Sequence, residues 1–431
     1  MLASFGPNRK QPDTTRETRT MPIRAAIRKA TPPLSPVGSI LWVRMHRKHV
    51  FCRSVARARV LIAVVPLLSG CYLIRQGAGI IAYQIDAEPI APVLDRGTFR
   101  SGTPADEQTI AFLQRVERVR RFAADDLGLD VGRNYSRIVV TDRDYLAAVV
   151  NAVHELGFTR HEWRWPFAGR FPYKGFFNPV HARREADRLR ERGYDVWVRP
   201  VDAFSTLGIT SDPVFSFMSD YPPHRIADLI IHESVHATIF LRNQGQFNEE
   251  LATWIGVEGA IAYLELSYGP ESDELLAFDA ARADSQLFRA DMLGLRDELD
   301  SIFRRLREAH VSEDDARTQK AHAIARFQER FAATYDDRYR TDAYRRIAEI
   351  PINNAYLDLV ATYSADLELY ARLADAAAAV LPGRERATGR VDRIRALVDL
   401  VLEFNRSPAT RRDFRRDPKG FLTGWLDRVN Q

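Results

Sequence analysis

The apolar positions of the chain change period several times, and each change marks a segment. A nine-residue apolar run, Val60 to Leu68, stands alone near the start and is too short to span a bilayer. Ala78 to Ile90 is weakly amphipathic and is broken by Pro89 and Pro92. Between Asp106 and Leu127 apolar residues recur at helical spacing, and Gly128 and Gly132 predict the stop. Ser136 to Val140 is short and β-branched, a strand pattern. Asp142 reads as the cap of a helix Arg143 to Leu156 that Gly157 ends. Then comes strand, helix, strand: Tyr173 to Phe177 extended, Val180 to Arg192 helical up to Gly193, and Tyr194 to Val198 alternating as a half-buried strand.

From Ile226 onward the period is helical almost throughout, including Ser272 to Ala309, Ser312 to Ala333, Asp342 to Ile350 and Ala355 to Leu381. No repeat of fixed period occurs. A small sheet followed by a helical region predicts an α+β, predominantly helical fold of two lobes: residues 71–225 as anchor linker and α/β lobe, and 226–431 as helical lobe. At 431 residues and 45% hydrophobic, the chain can bury a sizeable core.

Charge changes the picture at the N-terminus. The net charge is +5, which by itself points to an anionic partner. Yet residues 1–70 carry 13 Lys or Arg against only Asp13 and Glu17. From residue 71 onward 49 basic residues face 55 acidic ones, a net −6, so nucleic acid is not an expected partner. The basic excess, with Arg47, Lys48, Arg53, Arg57 and Arg59, lies directly before the apolar run, and Ser69-Gly70-Cys71 follows it. That order is the mark of a secretory signal. Leu68-Ser69-Gly70-Cys71 resembles the bacterial lipobox, which implies acylation of Cys71 and a protein lipid-anchored in the cell envelope, facing periplasm or exterior. A start at Met45 gives a signal of usual length over 45–70, and proline-rich residues 1–44 read as disordered or as mis-annotated upstream sequence. The other cysteine, Cys52, falls inside the signal, so the mature chain has no internal disulfide and depends on core burial.

Chemistry concentrates in IIHESVHATIFLRNQGQFNEELATWIG, residues 230–256. His232 and His236 lie one helical turn apart on one face, where both can bind one cation. Zinc suits two neutral imidazoles, a third protein ligand and an open position. Glu233 lies about 100° round the helix from His232, placed to take a proton from water rather than to ligate. Leu229, Ile230, Ile231, Val235, Ile239 and Phe240 would bury the helix, and a buried histidine pair with no metal would need other partners. Gln244, Gly245 and Gln246 predict a turn before a second helix that runs back beside the first.

Asn248-Glu249-Glu250-Leu251-Ala252 is similar to the Asn-Glu-x-x-Ala sequence of the Glu-zincin metallopeptidases, whose glutamate is the third zinc ligand. The resemblance implies Glu249 as ligand, with Glu250 pointing elsewhere and Glu258 a poorer substitute. Upstream, Tyr173 to Met218 resembles a bacterial family of predicted aminopeptidases with a Tyr-Arg-Gly-Tyr-Phe type segment, then Tyr-Ser-Thr-Leu-Gly-Trp and Asp-Pro. Here those positions read Phe204-Ser205-Thr206-Leu207-Gly208-Ile209 and Asp212-Pro213. Asn353-Asn354-Ala355 and Tyr363 add to the likeness, which runs from about residue 78 to about 385. It implies a zincin-like core and a zinc peptidase that hydrolyses peptides, with ligands His232, His236 and Glu249 and with Glu233 as catalytic acid and base. Ser205, Thr206, Leu207 and Gly208 read either as an edge strand for an extended peptide or as an ordinary strand before a turn. Tyr363 reads either as a donor to the oxyanion or as a packed helix aromatic.

An aminopeptidase must recognise a free ammonium, and Glu250, Asp202 and Asp212 are the acidic candidates near the motifs. A non-catalytic, zinc-stabilised envelope lipoprotein that binds a peptide or protein stays open beside the enzyme. Nothing in the sequence indicates an oligomeric state.

Overall fold

The computed structural model describes residues 83–165, 169–201, 211–308, 310–362, 367–380 and 389–431. The fold is α+β and predominantly helical. The helical turn at residues 83–86 ends before Pro89, as expected; strand β1 (Glu88–Pro89) then leads into helix α1 (Ile90–Arg96), whose first turn holds Pro92. Proline is harmless there, because first-turn amides have no partner within the helix. Helix α2 (Glu107–Arg121) is capped by Asp106, whose carboxylate accepts from the Thr109 amide at 2.8 Å. It buries Phe112, Leu113, Val116 and Val119, and runs on through a π-helical turn, Phe122–Asp126, to Gly128 at φ 70°.

Strand β2 (Arg137–Val139) falls where the β-branched run predicts it. The next segment corrects the sequence reading: in place of a helix over 143–156 the structure has strand β3 (Ala147–His154). Ala147, Ala148, Val149, Val150, Ala152 and Val153 are buried on both faces, so the alternation that marks a half-covered strand is missing. A buried apolar run of this length has no period to tell strand from helix, and tertiary pairing decides. The remaining strands are β4 (Trp163–Trp165), β5 (Gly169–Phe171), β6 (Tyr173–Phe176), β7 (Tyr194–Val201) and β8 (Val214–Phe215). β3 is the centre of an antiparallel sheet ordered β6-β3-β7, with Val150 opposite Lys174 and Val198. β1-β2-β8 form a second sheet, antiparallel then parallel, and β4 pairs with β5. Helix α3 (Pro179–Arg190), capped by Asn178, connects β6 to β7.

Beyond β8 the described chain is helical: α4 (Pro223–Thr238), α5 (Gly245–Tyr268), α6 (Asp273–Arg307), α7 (Glu313–Ala333), α8 (Tyr335–Arg338), α9 (Asn354–Thr362), α10 (Leu367–Val380), α11 (Arg390–Arg406), α12 (Arg411–Arg416) and α13 (Pro418–Val429). One expected helix differs: Asp342 to Ile350 holds only a 3-10 turn at Arg345–Ala348. The described residues within Ala355 to Leu381 are helical, in α9 and α10. Among the described residues no helix is long and apolar enough to cross a membrane.

Two apolar cores form. The first joins α2, β2 and β8 to α4, α5, α10, α11 and α13, so it draws on both sides of residue 226. The second lies between α6, α7 and α9 and reaches Leu156, Phe158 and Trp197 at the end of the β3 sheet. Asn354, fully buried, joins that core to the sheet: its Nδ2 donates to the carbonyls of His154, Glu155 and Gly157, each at 3.0 Å. Its amide donates to Asp195 Oδ2, which also accepts from Lys320 Nζ. Asn353 donates to the Val196 carbonyl. The asparagine pair is therefore a docking element between helix and sheet.

Candidate metal centre

Helix α4 starts on Pro222 and Pro223, where fixed φ suits a first turn. Its buried face is Ile226, Ala227, Ile230, Ile231 and Val235, which sets His232 and His236 on the side turned to α5. The helix ends at Thr238, and Ile239 is extended. Phe240, expected to help bury this helix, lies beyond it and is 49% exposed. The chain reverses over residues 239–244, with Asn243 at φ 64°, a conformation that asparagine tolerates. Asn248 then ties the loop to α5: its Oδ1 accepts from the Leu241 amide and its Nδ2 donates to the Leu241 carbonyl, at 3.0 and 2.9 Å.

Small residues let α4 and α5 approach closely. A Cβ on Gly256 would come within 2.6 Å of Asp228 Oδ1, 3.2 Å of His232 Cβ and 3.4 Å of the Asp228 carbonyl oxygen. On Gly259 it would meet the Ile231 side chain at 3.0 Å. One turn before Gly256, the Ala252 backbone makes a hydrogen bond with the His232 ring. Such a bond orients the imidazole and fixes its tautomer.

The structure brings His232, His236 and Glu249 together. Their ligand atoms all lie within 4.8 Å of one another, the one such trio of acidic, cysteine or histidine side chains among the described residues. The Nε2 atoms of His232 and His236 are 3.2 Å apart. Glu249 Oε1 is 3.5 Å from His236 Nε2, and its Oε2 is 3.7 Å from His232 Nε2. A tetrahedral zinc with bonds of roughly 2.0–2.1 Å separates neighbouring donors by about 3.3 Å, so the three fit one such ion.

Electrostatics agree with that fit. Burial holds the His232 imidazole well below its usual range. His236 is brought down to about 4, first by burial and then by His232, with Glu249 opposing. Both rings are thus neutral at neutral pH and offer a lone pair, as metal ligation requires. The Glu249 side chain is 47% exposed, which leaves the trio open on one side. His236 Nδ1 is buried and has no hydrogen-bond partner among the described residues, so only His232 has an outer support.

Glu233 follows His232 on α4 and is half-buried. Near it stands a residue that sequence reasoning missed. Tyr135 is 2% exposed and at φ 58°, rare for a bulky side chain. Burial, then the Glu233 carboxylate, then Asp212 push its phenol well above the usual range, so it stays protonated. Its amide donates to the Asp212 carbonyl at 2.7 Å, the Asp212 amide donates to Asn134 Oδ1, and Arg120 donates to the Asn134 and Gly132 carbonyls. Left-handed tyrosine has no mark in sequence, since the surrounding clamp enforces it.

Other candidates lie elsewhere. Glu258 pairs with Arg390 and Arg282, away from the trio. Glu250 is 4% exposed and already accepts from Gln246, Tyr370 and Lys419, which removes it from the ammonium candidates. Asp212 is 8% exposed, beside Tyr135. Tyr363, Ser205, Thr206, Leu207, Gly208, Asp202 and Cys71 lie outside the described residues.

Two closely packed helices thus offer a histidine pair and a carboxylate that could hold one metal ion, with a second glutamate beside them. The family model described as "Putative aminopeptidase" matches residues 71–396, and the chain belongs to that family. Neither a search of curated proteins nor one of solved structures finds a match.

Proposed function

We propose that the protein is a membrane-anchored, zinc-dependent peptidase with a zincin-like core, acting as an aminopeptidase. The carrying observation is the His232–His236–Glu249 trio with Glu233 beside it, in a chain that belongs to an aminopeptidase family. His232 and His236 through Nε2, and Glu249 through its carboxylate, would hold the ion. When bound, zinc supplies Lewis acidity toward a peptide carbonyl and makes a coordinated water acidic near neutral pH. The Glu233 carboxylate accepts the proton of the attacking water and returns it to the departing amine nitrogen, which completes amide hydrolysis. The Ala252 contact keeps the His232 ring turned toward its partners while the apolar flank of α4 excludes water behind it. Tyr363 remains the proposed donor to the oxyanion, and residues 205–208 the proposed peptide-binding strand. Residues 45–70 act as the signal and Cys71 carries the lipid, which sets the catalytic body outside the cytoplasm.

Glu233→Gln keeps the volume and removes the base. Zinc content of the purified variant should match wild type, measured by elemental analysis, while kcat for peptide hydrolysis falls by roughly 10²-fold or more. Undiminished turnover in that variant would remove Glu233 from the mechanism. Wild type should cleave a free peptide and spare its N-acetylated twin; equal rates would make it an endopeptidase. Zinc bound with no hydrolysis of any peptide would favour the binding-protein reading.

A further inference from the structure

Glu249 and Glu250 are consecutive on α5, so their side chains diverge by about 100°. Glu249 turns to the imidazoles, and Glu250 turns into the protein. There the Glu250 carboxylate accepts from Gln246 Nε2 at 2.8 Å, from Tyr370 Oη on α10 at 3.1 Å and from Lys419 Nζ on α13 at 3.1 Å. Tyr370 is fully buried. A buried carboxylate tolerates its desolvation only when such partners remain in place. These contacts hold the second turn of α5, whose N-cap residue Gln244 supplies no side-chain cap. Gln244 instead reaches away, donating through Nε2 to the carbonyls of Arg415 and Arg416 on α12. The start of α5 is therefore held from α12 at Gln244 and from α10 and α13 at Glu250, next to Glu249, and α12 and α13 lie beyond residue 396, where the family match ends.

We infer that Tyr370 and Lys419 are positioning residues for the metal centre: through Glu250 they set the rotation of the second turn of α5, and with it the reach of Glu249 toward His232 and His236. The inference rests on the metal-binding reading above. Rotation of that turn would move the Glu249 carboxylate relative to the imidazoles, and loss of the groups that orient a ligand typically costs metal affinity about 10-fold or more.

The test measures zinc dissociation constants of the full chain by competition with a chromophoric chelator, beside thermal denaturation of the metal-free proteins. Lys419→Met and Tyr370→Phe should each weaken zinc binding by about 10-fold while Tm of the metal-free form changes by only a few degrees. Lys419→Arg, which keeps the charge and a donor, should restore near wild-type affinity. Wild-type affinity in both Lys419→Met and Tyr370→Phe would overturn the inference, as would an Arg variant as weak as Met. If Lys419→Met fails to fold, Tyr370→Phe decides alone, since it removes one hydroxyl from a preserved ring. Failure of the wild-type chain itself to bind zinc would instead sink the metal reading.

Discussion

His224 lies two turns before His232 on the same helix, and its ring stacks on Phe278 at 4.6 Å. Burial, then the Arg225 charge, bring its pKa down from 6.5 to about 4. A folded-state value below the unfolded one means that between those limits the unfolded chain binds a proton the native chain refuses. Stability is therefore full above pH 6.5, falls as pH drops through the window to about 4, and stays low below it. The loss expected from this residue is roughly 3 kcal/mol. Urea denaturation of the metal-free protein at pH 7.5, 6 and 5 should show the decline, to which buried His232 and His236 add in the same direction, and His224→Gln should make it shallower whatever it does to stability at pH 7.5. An equal slope in the variant would assign the acid sensitivity elsewhere. At this scale the paired histidines were legible because a spacing of four is a local property of one helix. Tyr135 was illegible, because its backbone angle is imposed by Arg120 and Asp212, which are distant along the chain.

The element that matters most is the α4–α5 pair. Gly256→Ala sets two effects against each other: alanine favours a helix interior by about 1 kcal/mol, and overpacking costs typically 1–3 kcal/mol. The Asp228 carboxylate could swing aside, but His232 Cβ and the Asp228 carbonyl are fixed parts of α4 at 3.2 and 3.4 Å. Overpacking should win, with a lower Tm and with weaker zinc binding as α4 and its histidines shift from Glu249. A variant as stable as wild type and equally tight for zinc would mean the helices separate without disturbing the trio. Both helices were anticipated from apolar period and turn residues. β3 was not, since its strand character comes from lying between β6 and β7.

For the whole molecule, attachment to a membrane remains a proposal with a simple physical test. The net charge from residue 71 onward is −6, so the body has no general attraction to an anionic surface, and attachment would rest on the lipid at Cys71. Cys71→Ser should leave the protein in the soluble fraction after high-speed centrifugation, while wild type sediments with membranes and is released by detergent. Sedimentation of the Ser variant without detergent release would point to aggregation, and with release it would show an anchor other than Cys71. The docking of the second core on the β3 sheet through Asn354 belongs to this scale too, and the asparagine pair in sequence carries no hint of the three carbonyls it serves.

What the sequence determined by itself is whatever depends on neighbours a few residues apart: the helix bearing His232, Glu233 and His236, the stop at Gly193 and the α+β, mostly helical class. The tertiary structure decided what depends on residues far apart in the chain. It brought Glu249 within 3.7 Å of His232, made a strand of residues 147–154 and turned Glu250 from an acidic candidate into an anchor for the C-terminal helices. The physical reason is that helical spacing and capping are local interactions, whereas burial, strand pairing and the satisfaction of a buried charge are settled only when distant segments pack.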